Sequence, residues 1–191
     1  DGLVKPEDIK GFAENIYNEA QRLIILVGDI IKLSQLDEMN IPAKKEPIDL
    51  YVACEFAMSS LKPAAKKKNV TFYLNGSHAE ILGVESIIEE IIYNILDNAI
   101  KYNKDNGKVY ITVDEAEGHP TLTVTDTGIG IPKDEISRVF ERFYRVDKSH
   151  SREIGGTGLG LSIVKHGVMY HNAKISVESE VGKGTTLKIE F

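Results

Sequence analysis

Asp126-Thr127-Gly128-Ile129-Gly130-Ile131-Pro132 and Gly155-Gly156-Thr157-Gly158-Leu159-Gly160-Leu161 are the two stretches that organise the chain. The first puts an acid at the end of an alternating apolar run, with Leu122 and Val124 inward, and follows it with a glycine-rich turn. The second is a glycine-rich loop that opens an apolar helix. Between them lies a polar, basic segment too irregular to be core. Together they read as two walls of a nucleotide pocket with a mobile flap between. Asp126 would hold a base, and the second loop would turn backbone N–H groups toward phosphates. A buried acid needs donors, and the exocyclic amine of adenine is one. The competing reading is an Asp that caps the turn before Gly128. Gly128 and Gly130 let backbone pass close to a ligand.

Upstream, residues 84–103 have helical spacing. Ile88, Ile91, Ile92, Ile95 and Ala99 form a buried side; Asn94, Asn98 and Lys101 lie one turn apart on the other. Asn is a poor helix former, so two of them in mid-helix cost stability unless they are used. An amide oxygen is a hard ligand suited to Mg²⁺, which bridges to nucleotide phosphates, and Lys101 adds a cation. The alternative is a solvent-facing polar stripe, which loses weight beside two glycine loops.

At the start of the chain, Lys5-Pro6-Glu7-Asp8 opens a helix, with proline in the first turn and acids at the positive end of the dipole. Ile9, Ala13, Ile16, Ala20, Leu23, Val27, Ile30 and Ser34 make a heptad seam, flanked by Tyr17, Ile24 and Ile31. Residues 1–40 are therefore expected to hold a dimerisation helix whose bundle partners come from other sequence or a second copy. The competing reading packs it on the following domain. Residues 41–47 read as a linker and 48–191 as the second domain. There the pattern predicts a short strand at 48–51, a helix at 53–68 interrupted near Pro63, and strands at 70–74 and 79–82. The helix at 84–103 follows, then a hairpin of 108–114 and 121–125 turning at Glu117-Gly118. A helix at 159–170 precedes a second hairpin, 174–178 with 185–191, about Gly182-Lys183-Gly184. Strands in pairs with helices between them predict an α+β sandwich, one sheet with helices on one face.

Composition sets the outer bounds. The 191 residues suffice for one domain and a small attachment. A net charge of −6 opposes a nonspecific grip on nucleic acid or anionic lipid. Cys54 lies in an apolar helical pattern and is expected to be a buried, reduced thiol. No apolar run reaches the ~18 residues of a membrane span, and no secretory leader is read. Because the chain opens at Asp1, it is expected to be a portion of a longer protein.

Asn94-Ile95-Leu96-Asp97-Asn98-Ala99-Ile100-Lys101-Tyr102 resembles the N box of sensor histidine kinases. Asp126 to Pro132 is similar to their G1 box, Phe140-Glu141-Arg142-Phe143-Tyr144-Arg145 to their F box, and Gly156 to Leu161 to their G2 box, in the same order and spacing. The resemblance implies the two-layer Bergerat (GHKL) sandwich, a mixed sheet with helices on one face, preceded by the second helix of a dimerisation hairpin like that of phosphate-sensor kinases. It further implies ATP and Mg²⁺ as ligands, with Asn98 on the metal and Asn94 near metal and phosphates. Lys101 and Tyr102 would contact phosphate. Asp126 would bond the adenine amine, with Gly128 and Gly130 in the same turn beside the ring and Thr185 supporting a water there. Phe140, Phe143, Tyr144 and Arg145 would belong to a lid over the site, from 133 to 156, and Arg145 would reach the terminal phosphate. Thr157, Gly158, Leu159 and Gly160 would face the phosphates.

The implied reaction transfers the γ-phosphoryl group to a histidine of the dimerisation hairpin, and then to an aspartate of a response regulator. None of His78, His119, His150, His166 or His171 stands in an H-box setting, so the phosphoacceptor is expected outside this chain. His171-Asn172-Ala173 stands where relatives carry a glycine pair, and a modest local change is expected. Gyrase-like relatives carry a water-activating Glu where this chain has Asn94, which disfavours vigorous hydrolysis. The other readings are an anti-sigma-factor serine kinase or sequestering module, and a gyrase-like hydrolase. The resemblance also implies a cytoplasmic domain of a membrane-bound bacterial sensor, attached through upstream segments and homodimeric.

Overall fold

Alternation along the strands decides where the core lies. Val109, Ile111 and Val113, Leu122 and Val124, and Leu187 and Ile189 are buried on one side of their strands, with Phe72, Leu74, Ile175 and Val177 packed beside them. The computed structural model describes residues 8–38, 44–116, 118–146 and 156–191. In chain order the elements are α1 (Ile9–Asp37), β1 (Glu46–Asp49), α2 (Leu50–Lys67), β2 (Thr71–Gly76), β3 (Glu80–Gly83), α3 (Glu85–Lys101), β4 (Lys108–Ala116), β5 (His119–Asp126), α4 (Gly160–Tyr170), β6 (Lys174–Glu180) and β7 (Gly184–Glu190). The main sheet runs β2-β4-β5-β7-β6; β2 is parallel to β4 and the remaining pairs are antiparallel. This is the mixed sheet expected. A second ribbon, β1 with β3, was not foreseen as a separate sheet.

Helices α2, α3 and α4 cover the apolar face. Ile88, Ile91, Ile92 and Leu96 of α3 are essentially sealed from solvent, as are Leu50 of α2 and Ile163 of α4. The opposite face is polar and open: Tyr73 stacks on Tyr110 at 5.2 Å, and the Thr125 and Thr186 hydroxyls meet at 3.0 Å. Cys54 is fully buried in α2, and burial pushes its thiol up to about 12, so it stays a protonated apolar filler.

Several boundaries differ from the sequence expectation. Helix α2 runs through Pro63 without a break. Pro63 and Ser59 lie on the exposed side, so the carbonyl left without an N–H faces water, while buried Leu61 and Ala65 hold the turn in place. The strand expected at 48–51 lies at Glu46–Asp49, so two residues read as linker are already paired. Asp49 ends it by accepting from Tyr51 N–H at 2.9 Å and Val52 N–H at 3.3 Å, which starts α2 instead. Helix α3 stops at Lys101, short of Asn103.

Asn103 is buried and used to fasten that end: its nitrogen donates to Ala99 and Lys108 carbonyls at 2.9 and 3.1 Å, and its oxygen accepts from Lys104 N–H at 3.0 Å and Thr127 Oγ1 at 3.1 Å. Lys68, just past the end of α2, donates to the Lys101 carbonyl at 2.6 Å. The turn at Glu117 and the linker residues 39–43 lie outside the described residues, as do residues 147–155 of the expected lid.

Helix α1 is divided in its loyalties. Leu33 and Leu36 are buried against the domain, with Leu26 packed beside them, whereas Ile16 and Ile24 are 70% and 65% exposed. The C-terminal half therefore packs on the following domain, as the competing reading had it, and the apolar seam stays open further up. Among the described residues no helix is long and apolar enough to cross a membrane.

Candidate nucleotide site

Asp126 ends β5 on the side that faces the helices, in register with Leu122 and Val124. Its Oδ1 accepts from Gly128 N–H at 2.7 Å and Thr185 N–H at 3.3 Å. Turn capping is thus one of its duties, and a single oxygen performs it. Burial raises the carboxyl above the ordinary carboxylate range, and the two N–H bonds pull the other way without cancelling it. Thr185 has its hydroxyl 2.9 Å from that of Ser179, which also accepts from Ile131 N–H at 2.8 Å. Ser179 was not singled out in the sequence; a lone Ser in an alternating strand carries no signal.

The glycine-rich turn is anchored on two sides. Ile129 N–H donates to the Tyr102 carbonyl at the end of α3 at 3.0 Å, and Gly182 N–H donates to the Ile129 carbonyl at 2.7 Å. A Cβ on Gly128 would lie 2.3 Å from the Tyr102 carbonyl oxygen, and one on Gly130, whose φ is +71°, would lie 2.1 Å from that of Glu180. Protein backbone packed against them already excludes a side chain at both glycines.

Midway along its length α3 meets the start of α4. The Asn94 side-chain nitrogen donates to the Glu90 carbonyl at 2.9 Å and to Glu90 Oε1 at 3.1 Å. Two acceptors on that side fix the amide with its oxygen turned away from them. A Cβ on Gly160 would lie 2.7 Å from Asn94 Oδ1 and 3.7 Å from Asn98 Nδ2. Asn94, Asn98 and Gly160 are therefore brought together. Lys101 is paired with Asp97 at 2.6 Å, so its charge is shared.

From Asn94 to Tyr102 the helix advances about 12 Å at roughly 1.5 Å per residue. The Asp126 turn thus adjoins the C-terminal end of α3, with Asn98 about one turn and Asn94 about two turns back along it. Among the described residues no group of three or more His, Cys, Asp or Glu could hold a metal. A cation here would rest on amide oxygens and on the phosphates of a nucleotide, which suits Mg²⁺; the outward Asn94 oxygen in the cradle left by Gly160 fits that role.

The F-box region joins the second glycine loop. Phe143 N–H donates to the Gly158 carbonyl at 3.0 Å, and Phe143 itself has a φ of 62°. Arg145 Nη1 donates to the Gly156 carbonyl at 2.8 Å. Tyr144 lies under the Arg138 guanidinium, 4.2 Å from ring centre to Cζ. Leu159 is fully buried, and its N–H donates to Thr157 Oγ1 at 3.3 Å, closing the turn before α4. Thr157 in turn donates to Asp29 of α1 at 2.8 Å. Sequence reasoning missed α1 as a neighbour of the site. Asp37 receives Arg142 at 2.6 Å and lies 3.0 Å from His166, while Lys32 pairs with Glu90 at 2.7 Å.

Residues 83–191 match the family described as histidine kinase-, DNA gyrase B-, and HSP90-like ATPase. Over 187 residues, 97% of this chain, it is 37% identical to the sensor-like histidine kinase SenX3 of Mycolicibacterium smegmatis, of which it spans 49%. The mycobacterial sensor histidine kinase MprB superposes with a TM-score of 0.68 at 29% identity, over 77% of this chain and 96% of that one. Full-length ShkA, solved in complex with AMPPNP, superposes with a TM-score of 0.80 at 26% identity, over 95% of this chain and 38% of that one. The chain spans about half the length, or less, of the curated relatives it matches. It belongs to the histidine kinase-, DNA gyrase B- and HSP90-like ATPase family, and carries the catalytic domain of a sensor histidine kinase.

Proposed function

We propose that the chain binds Mg²⁺-ATP along α3, between the turn at Gly128 and the start of α4, and transfers the γ-phosphoryl group to a histidine outside this chain. An aspartate of a response regulator then receives it. The observation that carries this reading is that the Asp126 turn sits against the C-terminal end of α3 while Gly160 sits against Asn94 and Asn98 in the same half of that helix.

Asp126 keeps Oδ1 for the turn, which leaves Oδ2 for the adenine amine; Gly128, Gly130 and Thr185 shape that end. Tyr102, Lys101 and the backbone of Thr157, Gly158, Leu159 and Gly160 line the path of the phosphates. Mg²⁺, held by Asn98 with Asn94 beside it, would neutralise phosphate charge as it moves toward the leaving oxygen. Lys101 and Arg145 add positive charge where it accumulates. Hydrolysis is disfavoured because Asn94 cannot take a proton from water, and Glu90, one turn earlier, is occupied by Lys32 and Asn94. The exposed seam of α1 suits the homodimeric hairpin of a membrane-attached cytoplasmic sensor.

The test is phosphotransfer from ATP to an added dimerisation hairpin that bears the histidine. Acid-labile labelling of the hairpin is expected. Labelling on serine, or ATP hydrolysis without transfer, would reverse the assignment.

A further inference from the structure

The amide of Asn94 is aimed by a chain of contacts that begins outside the nucleotide domain. Lys32, on α1, pairs with Glu90 Oε2 at 2.7 Å. Glu90 Oε1 accepts from Asn94 Nδ2 at 3.1 Å, and the Glu90 carbonyl accepts from the same nitrogen at 2.9 Å. The two carboxylate oxygens are thus divided between a helix that is not part of the catalytic fold and an amide in the site. If the Glu90 carboxylate were to swing away, the backbone carbonyl alone would hold the Asn94 nitrogen. The amide could then rotate, and its oxygen would no longer be held over Gly160.

We infer that Glu90 is a positioning residue for the metal-side amide of Asn94, and that Lys32 makes this positioning depend on the docking of α1. The inference rests on the Mg²⁺-ATP reading of the site. It assigns no proton transfer to Glu90, whose carboxylate acts only through Asn94. Docked α1 favours Mg²⁺-nucleotide binding, and by reciprocity Mg²⁺-nucleotide favours docked α1. Leu33 and Leu36 supply the apolar part of that docking, so removing Lys32 leaves the helix in place and isolates the polar link.

The test is calorimetric titration of the whole chain with Mg²⁺-AMPPNP and, separately, with adenosine. The variants are Glu90→Ala, Glu90→Gln, Lys32→Met and the double variant Lys32→Met/Glu90→Ala. Thermal melting of each variant checks the fold. Glu90→Ala is expected to weaken Mg²⁺-AMPPNP roughly five- to tenfold, the worth of about one hydrogen bond, and to leave adenosine unchanged. Glu90→Gln, which keeps an acceptor at the same place, restores most of the affinity. Lys32→Met is expected to lose about two- to threefold, and nothing more in the Glu90→Ala background. Equal losses for both ligands, no loss in Glu90→Ala, or additive losses in the double variant would overturn the inference while leaving the site intact. Failure of the unaltered chain to bind either ligand would instead bring down the nucleotide reading, and the inference with it.

Discussion

Gly160, the first residue of α4, faces the side-chain oxygen of Asn94 on α3 with no room for a methyl group between them: a Cβ at Gly160 would stand 2.7 Å from Asn94 Oδ1. The atom it would meet is the tip of a side chain, so the fold can give way by turning Asn94 aside. Gly160→Ala is therefore expected to melt within a few degrees of the parent chain. It should lose Mg²⁺-ATP affinity by about tenfold or more, because the amide is displaced. Calorimetry beside a thermal melt checks this; a stable variant with undiminished affinity would separate Gly160 from the site.

Burial holds the Asp126 carboxyl above its ordinary 3.8. An ionised Oδ2 accepts from an adenine amine more strongly than a protonated one, and Oδ1 is already taken by two N–H groups, so adenosine affinity should be full above the raised value and fall as the pH drops through it. The decline should begin at a higher pH than an exposed carboxylate would give. Binding should drive the proton off. In Asp126→Asn the acid-side decline should vanish. Titration of adenosine between neutrality and mild acid reads both.

His171 joins two helix ends. Nδ1 donates to the Gly167 carbonyl at 2.8 Å, which leaves Nε2 to accept from Val84 N–H at 3.0 Å. Burial lowers this imidazole below its ordinary 6.5. The neutral form is the one the fold uses, so its contribution is complete above 6.5 and is lost as the pH falls through the lowered value, the unfolded chain protonating first. Urea unfolding at neutral pH and at a series of mildly acid pH values should show that loss below the ordinary imidazole range. His171→Ala should cost about 1–3 kcal/mol at neutral pH, by leaving the Val84 N–H unpaired, and should flatten the slope.

Buried Asn103 bonds four partners across the end of α3 and the starts of β4 and the Thr127 turn. Asn103→Ala is expected to destabilise by about 2–4 kcal/mol, through several orphaned groups at once. Because Tyr102 and the turn over it lean on this fastening, adenine affinity should fall with it. Denaturant unfolding and adenosine titration give the two numbers.

What the residues alone disclosed was the part with strong periodicity or special backbone. Alternation in 108–114 and 121–125, the apolar stripe of 84–103 and the glycine runs placed the central strands, α3 and the two glycine loops beside it. Asn172, in the stretch that stands where relatives carry a glycine pair, has a φ of 57°, a left-handed backbone that Asn tolerates. What stayed hidden depends on contacts between distant segments. Pro63 carries a local helix-breaking signal that exposure on one side and Leu61 and Ala65 on the other overrule. The links Asp29–Thr157, Lys32–Glu90 and Asp37–Arg142 join residues more than fifty apart, and each side chain in isolation reads as ordinary solvated charge. The partner of His171, the Val84 N–H, likewise lies 87 residues away.

The most direct measurement divides the ligand in two. Adenosine and Mg²⁺-tripolyphosphate are titrated separately into the parent chain, Asp126→Asn and Asn98→Ala. The account predicts that Asp126→Asn weakens adenosine and spares Mg²⁺-tripolyphosphate, while Asn98→Ala does the reverse. Equal losses for both ligands in both variants, or binding of the two pieces unaffected by either change, would contradict a nucleotide stretched along α3 between these residues.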